Sequence, residues 1–348
     1  MTPAPTSRIT AVNPLWAVEG SRVTIAGSGF KLEPLLPEVR FAGVPAKVAH
    51  ASRDSLTAIV PAGLDGGHTP VRIDCAPGET AYVDVGAPIA TGLHQVDNPA
   101  FDREGNLYVT FSGSRGQDAP VSIYVVRPDG AREPFVIGVP NPTSMAVGAD
   151  NDLYVSSRFD GSIYRVASNG SAAVFATDLG VACGIAFGPD GELFVGDRSG
   201  SVLRVEAGQT SLFASLPPSV AAFHLAFGPD GWLYVSAPTL ASQDVVYRIS
   251  PQGVIEPFSE GFGRPQGLAF DSDGNLYVVD AVAGWSAIYR VPIDRPNDKT
   301  CVLSGGALLG LAFDPRGGLV VCSSETIYRL DVGLRGLLPV AVAARTSP

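Results

Sequence analysis

From residue 99 onward one alternation of apolar and polar positions returns six times. It reads Pro99-Ala-Phe-Asp-Arg-Glu-Gly-Asn-Leu-Tyr-Val109 in the first repeat and Ile185-Ala-Phe-Gly-Pro-Asp-Gly-Glu-Leu-Phe-Val195 in the third. In the fifth it reads Leu268-Ala-Phe-Asp-Ser-Asp-Gly-Asn-Leu-Tyr-Val278. An apolar anchor recurs at Phe101, Val147, Phe187, Phe227, Phe270 and Phe313, in steps of 46, 40, 40, 43 and 43 residues. Each phrase places two short apolar runs on either side of a tight turn. Gly105, Gly191, Gly231, Gly274 or Gly317 occupies that turn, and Asn151 takes the place in repeat two. A hairpin turn needs a residue that accepts positive φ, which glycine does without strain and asparagine nearly so.

A second hairpin follows in each repeat. Its first strand is legible in Ser162-Ile-Tyr-Arg-Val166, Ala287-Ile-Tyr-Arg-Val291 and Thr326-Ile-Tyr-Arg-Leu330. Asp129-Gly130, Asn169-Gly170 and Gln252-Gly253 supply the turns, and Pro134-Phe-Val136 and Pro257-Phe258 the outer strands. Each repeat therefore carries four short antiparallel strands, and no segment between them has a helical period. The strands are apolar on both faces, as strands covered on each side must be. Radial stacking of such sheets predicts a six-bladed β-propeller, with an extended solenoid as the rival all-β stacking. Pro339-Val-Ala-Val342 is a candidate outer strand for the last repeat. Closure by a strand from the N-terminal side is then not required.

The first 87 residues follow a different pattern. Alternating runs at Arg22-Val-Thr-Ile25, Val39-Arg-Phe41, Thr57-Ala-Ile-Val60, Val71-Arg-Ile73 and Ala81-Tyr-Val-Asp-Val85 are broken by turns every ten residues or so. This is the signal of a small immunoglobulin-like β-sandwich. The predicted fold class is all-β throughout. Residues 1–7 form a polar, Pro-rich start, 8–87 the sandwich, 88–92 a linker, 93–343 the propeller and 344–348 a tail.

Composition narrows the function classes. The chain has 348 residues, 45% of them hydrophobic, with 40 Gly and 29 Pro, which suits many short strands and a large core. Only 17% are charged, and the net charge is -10. An acidic field of this size opposes binding to nucleic acid or to an anionic membrane. No apolar run is long enough to span a bilayer, and the first ten residues lack the apolar core of a signal peptide, so the expected location is the cytoplasm by default, with a secreted or surface location as the alternative. Cys75, Cys183, Cys301 and Cys322 show no paired spacing and read as small buried residues rather than zinc or redox sites.

Two resemblances follow from these residues. Residues 8–86 resemble an IPT/TIG domain through Ile9, Pro14, Gly20, Val23-Thr-Ile-Ala-Gly-Ser-Gly-Phe30, Val39-Arg-Phe-Ala-Gly-Val-Pro-Ala46 and Val60-Pro61. The resemblance implies an accessory or binding module. Residues 93–343 resemble the NHL-repeat and gluconolactonase-like group of six-bladed propellers, most clearly at Gly267-Leu-Ala-Phe-Asp-Ser-Asp-Gly-Asn-Leu-Tyr-Val-Val-Asp280. In the lactonase-like branch the resemblance implies one divalent cation (Ca, Mg, Mn or Zn) at a mouth of the central channel, held by oxygen ligands from the starts of the innermost strands.

The residue four places before each anchor gives the equivalent rim: Asp97, Thr143, Cys183, Phe223, Gln266 and Leu309. Asp97-Asn98-Pro99 resembles the first metal motif, with Asp for Glu, and Arg264-Pro265-Gln266-Gly267 resembles Pro-Asn-Gly, with Gln for Asn. Asp97 and Gln266 are thus the candidate metal ligands. Repeats one and five lie two steps apart on a six-fold ring, so both would approach one ion. A hard cation needs several converging oxygens, and one carboxylate among six rim residues is a poor cage. Asp197 and Asp280 end the second strands, where they either face the mouth or bond the backbone of the next turn. His94 and His224 lie near strand starts on the same side, as packed core residues or, for His224, as a general base. Asn98, Arg158, Arg198, Arg264 and Trp285 lie on neighbouring loops and suit an anionic or sugar-like ligand.

Two functions remain. The leading one is a non-catalytic propeller binding a protein or a small sugar- or lactone-like ligand, with the N-terminal module as adaptor. The alternative is a metal-dependent lactone or ester hydrolase at the channel mouth.

Overall fold

The computed structural model describes residues 7–113, 119–206, 208–221, 223–282 and 285–337. All regular elements among them are β-strands, and no helix is long and apolar enough to cross a membrane. Repeats one, two, three, four and six form separate four-stranded sheets in a β-propeller arrangement. The four strands of repeat five (Pro265–Phe270, Asn275–Val282, Trp285–Pro292 and Thr300–Gly305) do not stand alone. They continue through Trp16–Ala17 into the N-terminal domain, giving one sheet of 12 strands. The sequence predicts six equivalent blades, so the finding is five separate ones and a fifth repeat merged with its neighbour.

The repeats share register as well as strand order. In each, the ladder between the third strand and the outer strand slips at the same place: Ile123/Tyr124, Ile163/Tyr164, Val202/Leu203, Val246/Tyr247, Ile288/Tyr289 and Ile327/Tyr328. A bulge at a fixed position bends each outer strand alike.

The recurring Tyr of the phrase explains how neighbours lock. Tyr154 meets Phe187 of the next repeat edge-on at 4.9 Å between ring centroids, and Tyr234 meets Phe270 at the same distance. Phe194 meets Phe227 at 5.1 Å, and Tyr277 meets Phe313 at 5.2 Å. The same rings also meet a Phe of their own outer strand, as in Tyr154 with Phe175 and Tyr234 with Phe258. Each such pair contributes about 0.5–1.5 kcal/mol beyond the area it buries.

The phenol needs a partner where it is buried, and the turn provides one. In repeats two and four Tyr154 and Tyr234 donate to Asp150 and Asp230, three places after the anchor. The residue after the anchor is then Gly148 or Gly228. A Cβ there would lie 2.5 or 2.6 Å from the carboxylate. In repeat one the position after the anchor is Asp102, which itself accepts from Tyr108 at 2.9 Å. Repeat six has Val320 in place of the Tyr, and its turn carboxylate, Asp314, is held by Arg316 and Arg329 instead.

The outer strand of repeat six is not drawn from the C-terminus. Ala87–Thr91 pairs antiparallel with Thr326–Leu330, in the register an outer strand takes elsewhere. The expected linker at 88–92 is therefore a strand that closes the last sheet. The expected outer strand at 339–342 falls outside the described residues. The chain that leads there passes under repeats six and five, with backbone bonds from Gly318 to Leu334 and from Leu337 to Phe270.

The N-terminal domain packs its strands around Val23, Ile25, Val39, Phe41, Leu56, Val71 and Val83. Its strand Trp16–Ala17 lies parallel to both Ala81–Val85 and Thr300–Gly305. Ser21 donates its hydroxyl to the Ser304 carbonyl, and Ser304 Oγ donates to the Arg22 carbonyl at 2.8 Å. Val18 lies in the same apolar cluster as Tyr277, Leu303 and Leu330 of the propeller. The junction is thus a continuous sheet and core rather than a hinge. Of the four thiols, Cys183 and Cys322 are buried as expected, while Cys75 and Cys301 are half-buried.

Tyr234 is fully buried between two rings. Tyr234→Ala, which empties both contacts, is expected to cost about 3–5 kcal/mol, and Tyr234→Phe about 1–2 kcal/mol for the lost hydrogen bond. Equilibrium denaturation checks both values. A Phe variant as damaged as the Ala variant would contradict the weight placed on the rings.

Candidate functional site

The rim residues owe their position to bulges. The innermost strand slips against the second between Pro142 and Met145, Ala182 and Ile185, Pro265 and Leu268, and Leu308 and Gly310. Thr143, Cys183, Gln266 and Leu309 sit inside these slips, where the extra residue re-aims its side chain. Together with Arg158 and Arg198 they line a cavity of about 250 Å³ at the channel mouth. Gln266 and Leu309 also line an adjoining cavity of about 460 Å³ that includes Arg264 and Ser286. Glycines beside the slips let the inner strands come close. A Cβ on Gly310 would lie 2.8 Å from both Asn98 Oδ1 and the Asp97 carbonyl.

Beneath the mouth lies a polar knot. His224 Nδ1 donates to Asp97 Oδ1, with His224 1% and Asp97 2% exposed. A carboxylate only accepts, so Nδ1 carries the proton. Among the described residues His224 Nε2 has no hydrogen-bond partner. Asp97 Oδ1 also accepts from the Asn98 backbone at 2.6 Å. Gln95 fixes the segment from behind: its Nε2 donates to the Asp97 carbonyl at 2.7 Å, and its Oε1 accepts from Thr110 N at 2.7 Å and Thr110 Oγ1 at 3.0 Å. Gln95 was not among the residues singled out from sequence. Its signal is the alternation in which Leu93, Gln95 and Asp97 point inward while His94, Val96 and Asn98 do not.

Several expected ligand-binding residues have structural work instead. Asn98 ties three repeats together, donating to the Leu268 carbonyl at 2.8 Å and accepting from Leu311 N at 3.0 Å. Asp197 accepts from Val181 N at 2.8 Å and from the Ser199 hydroxyl. Asp280 accepts from Gly263 N at 3.0 Å and Arg264 N at 2.6 Å. Both bond backbone, but that of the segment leading into the innermost strand and not of the next turn. His94 packs edge-on against Phe111, 6.4 Å between centroids. Trp285 is displaced furthest from its expected place at the channel mouth. It lines a separate cavity of about 340 Å³ at the junction of the two domains, with Pro14, Arg22, Thr24 and Thr57. The structure brings together Arg198 and Gln266 at the mouth, with Asp97 and His224 below them.

The divalent ion implied by the gluconolactonase resemblance needs three or more oxygen donors at one point. Among the described residues no group of three His, Cys, Asp or Glu side chains converges. Asp97 is the only carboxylate of the rim, and its Oδ1 is taken up by His224 and a backbone N–H, so these residues do not fit such an ion. The thiol among the described residues lining the mouth is not a prepared nucleophile. Burial pushes the Cys183 thiol up to about 12, against which the nearby Arg198 and Arg158 charges have only a partial effect. The thiolate that would attack is not formed near neutral pH.

Residues 7–83 match the IPT/TIG domain family. No curated protein matches the chain. Among solved structures, the chain resembles an auxiliary nutrient binding protein from Bacteroides thetaiotaomicron, with 13% identity and TM-score 0.56 over 94% of this chain and 98% of that one. It also resembles the calcium-binding protein regucalcin from Agrobacterium tumefaciens, with 17% identity and TM-score 0.59 over 73% and 96%. A third is virginiamycin B lyase from Staphylococcus aureus, with 14% identity and TM-score 0.52 over 69% and 95%. Identities this low establish the fold alone.

Removing one member of a buried polar pair strands the other. Asp97→Ala is expected to cost about 3 kcal/mol or more. In a double-mutant cycle with His224→Leu the two changes should couple by more than about 1 kcal/mol. Denaturation of the four proteins measures this, and additive losses would contradict the pairing.

Proposed function

We propose that this protein is a non-catalytic binding propeller that takes a small polar ligand at the channel mouth, with the IPT/TIG domain as a rigid adaptor. The ring is read as six-bladed, with the merged quartet of repeat five as the remaining blade and the N-terminal domain as an immunoglobulin-like sandwich. One observation carries the proposal. The mouth offers a cavity lined by Thr143, Arg158, Arg198 and Gln266, while the carboxylates that metal-assisted hydrolysis would require are committed to His224 and to backbone N–H groups.

His224 with Asp97 has the orienting half of an acid/base arrangement, but catalysis also needs a reacting group within reach. The imidazole is 1% exposed, and the thiol lining the mouth is held protonated. A pre-formed concave site with a few convergent polar groups suits recognition without turnover. The nutrient-binding proteins among the structural neighbours fit this reading. The stitched junction at Ser21 and Ser304 would hold the adaptor at a fixed angle to the mouth.

A thermal-shift panel of neutral sugars, acidic sugars and lactones tests the proposal, with hydrolysis followed in parallel. A true ligand at 100 times its Kd should add about 2.7 kcal/mol of stability. The shift should disappear in Gln266→Leu, and no lactone should be consumed. Hydrolysis that depends on a divalent ion and is lost in Asp97→Asn would overturn it.

A further inference from the structure

The protein is acidic overall, yet its mouth is not. Two adjoining cavities share Gln266 and Leu309 in their linings. Arg158 and Arg198 line one and Arg264 the other, and no carboxylate is among the described residues lining either. Nine arginines elsewhere are in ion pairs with carboxylates: Arg8, Arg40, Arg127, Arg165, Arg204, Arg248, Arg295, Arg316 and Arg329. Arg198 and Arg264 form no such pair among the described residues. Arg198 lines the cavity and is anchored by a bond from Nη2 to the Val220 carbonyl at 3.2 Å, and its other guanidinium donors have no hydrogen-bond partner among the described residues.

Asp197 and Asp280 keep their charge, but neither lines the two cavities. Asp197 and Asp280 sit one residue before Arg198 and sixteen after Arg264, and their oxygens are turned onto Val181 N, Ser199 Oγ, Gly263 N and Arg264 N. Asp97 is beneath the floor, paired with His224. A guanidinium presents donors only, and so does the backbone-anchored fork of Arg198. A neutral polyol could use such donors singly. A carboxylate or phosphate uses them in pairs and gains charge as well. Gln266, 8% exposed and between the two cavities, supplies both a donor and an acceptor for the uncharged part of a ligand.

We infer that the ligand is a small organic anion whose carboxylate or phosphate group is held at Arg198, with its polar body along Gln266 toward Arg264. The inference rests on the binding reading above and names the class of ligand that the site selects. The attraction between an anion and these exposed guanidinium groups is screened by salt, so affinity falls as ionic strength rises.

Calorimetric titration with glucose, glucuronate and glucose 6-phosphate tests it, because the three share a ring and differ in charge. Glucuronate or glucose 6-phosphate should bind at least tenfold more tightly than glucose, and whichever is preferred separates a carboxylate site from a phosphate site. Raising NaCl from about 20 to 200 mM should weaken that binding. Arg198→Ala should weaken it at least tenfold with an unchanged melting temperature, since Arg198 is exposed. Glucose binding as tightly as its charged relatives, or an Arg198→Ala protein that binds normally, would overturn the anion assignment while the binding reading stands. Silence from all three probes with a hit elsewhere in the wider panel also overturns the assignment alone. Silence throughout overturns both.

Discussion

In four successive joints of the ring, an aromatic side chain from one repeat stands edge-on against the anchor Phe of the next. Short strands alone would not fix the angle between neighbouring sheets, because strand pairing acts only within a sheet. Ring contacts act between sheets, and in repeats two and four a Tyr–Asp bond at the turn fixes where the ring can be. The two joints without such a pair fall where Val147 and Val320 replace an aromatic residue. The latter borders the repeat closed by Ala87–Thr91, so a strand from the N-terminal side supports the ring where the aromatic lock is missing.

The site is a consequence of that ring. With the inner strands brought together by glycines, the slips at their starts turn Thr143, Cys183, Gln266 and Leu309 into one opening. Asn98 then ties repeat one to repeats five and six from within. Asp97, Gln95 and His224 form the floor. In this floor Asp97 Oδ1 accepts from both His224 and the Asn98 backbone, which fixes the position of the imidazole beneath the cavity. No described residue of the N-terminal domain lines either cavity at this opening.

Much of this was legible in the chain. The repeated phrase announced the anchors, the turns and the strands because each repeat solves the same packing problem with the same residues. Of the rim column, Thr143, Cys183, Gln266 and Leu309 line the opening, whereas Asp97 lies outside its lining and Phe223 is buried in an apolar core. The closing strand was not legible. Ala87–Thr91 contains Pro88, which reads as a linker but is tolerated on an outer strand with one free edge. The partnership of Asp97 with His224 was also hidden, because 127 residues separate them. Trp285 was misplaced because the hairpin of repeat five has strands of 8 residues. Their extra length carries Trp285 beyond the mouth to the domain junction, whereas the corresponding strands of repeat two have 5 residues.

The central claim is that the arginine-lined opening, and not the cavity beside Trp285, receives the ligand. A crystal structure of the protein soaked with glucuronate tests this most directly. The account predicts the sugar acid in the opening, its carboxylate on Arg198 and its hydroxyls on Gln266. Glucuronate found only at the junction beside Trp285 and Arg22, with the opening empty, would contradict it.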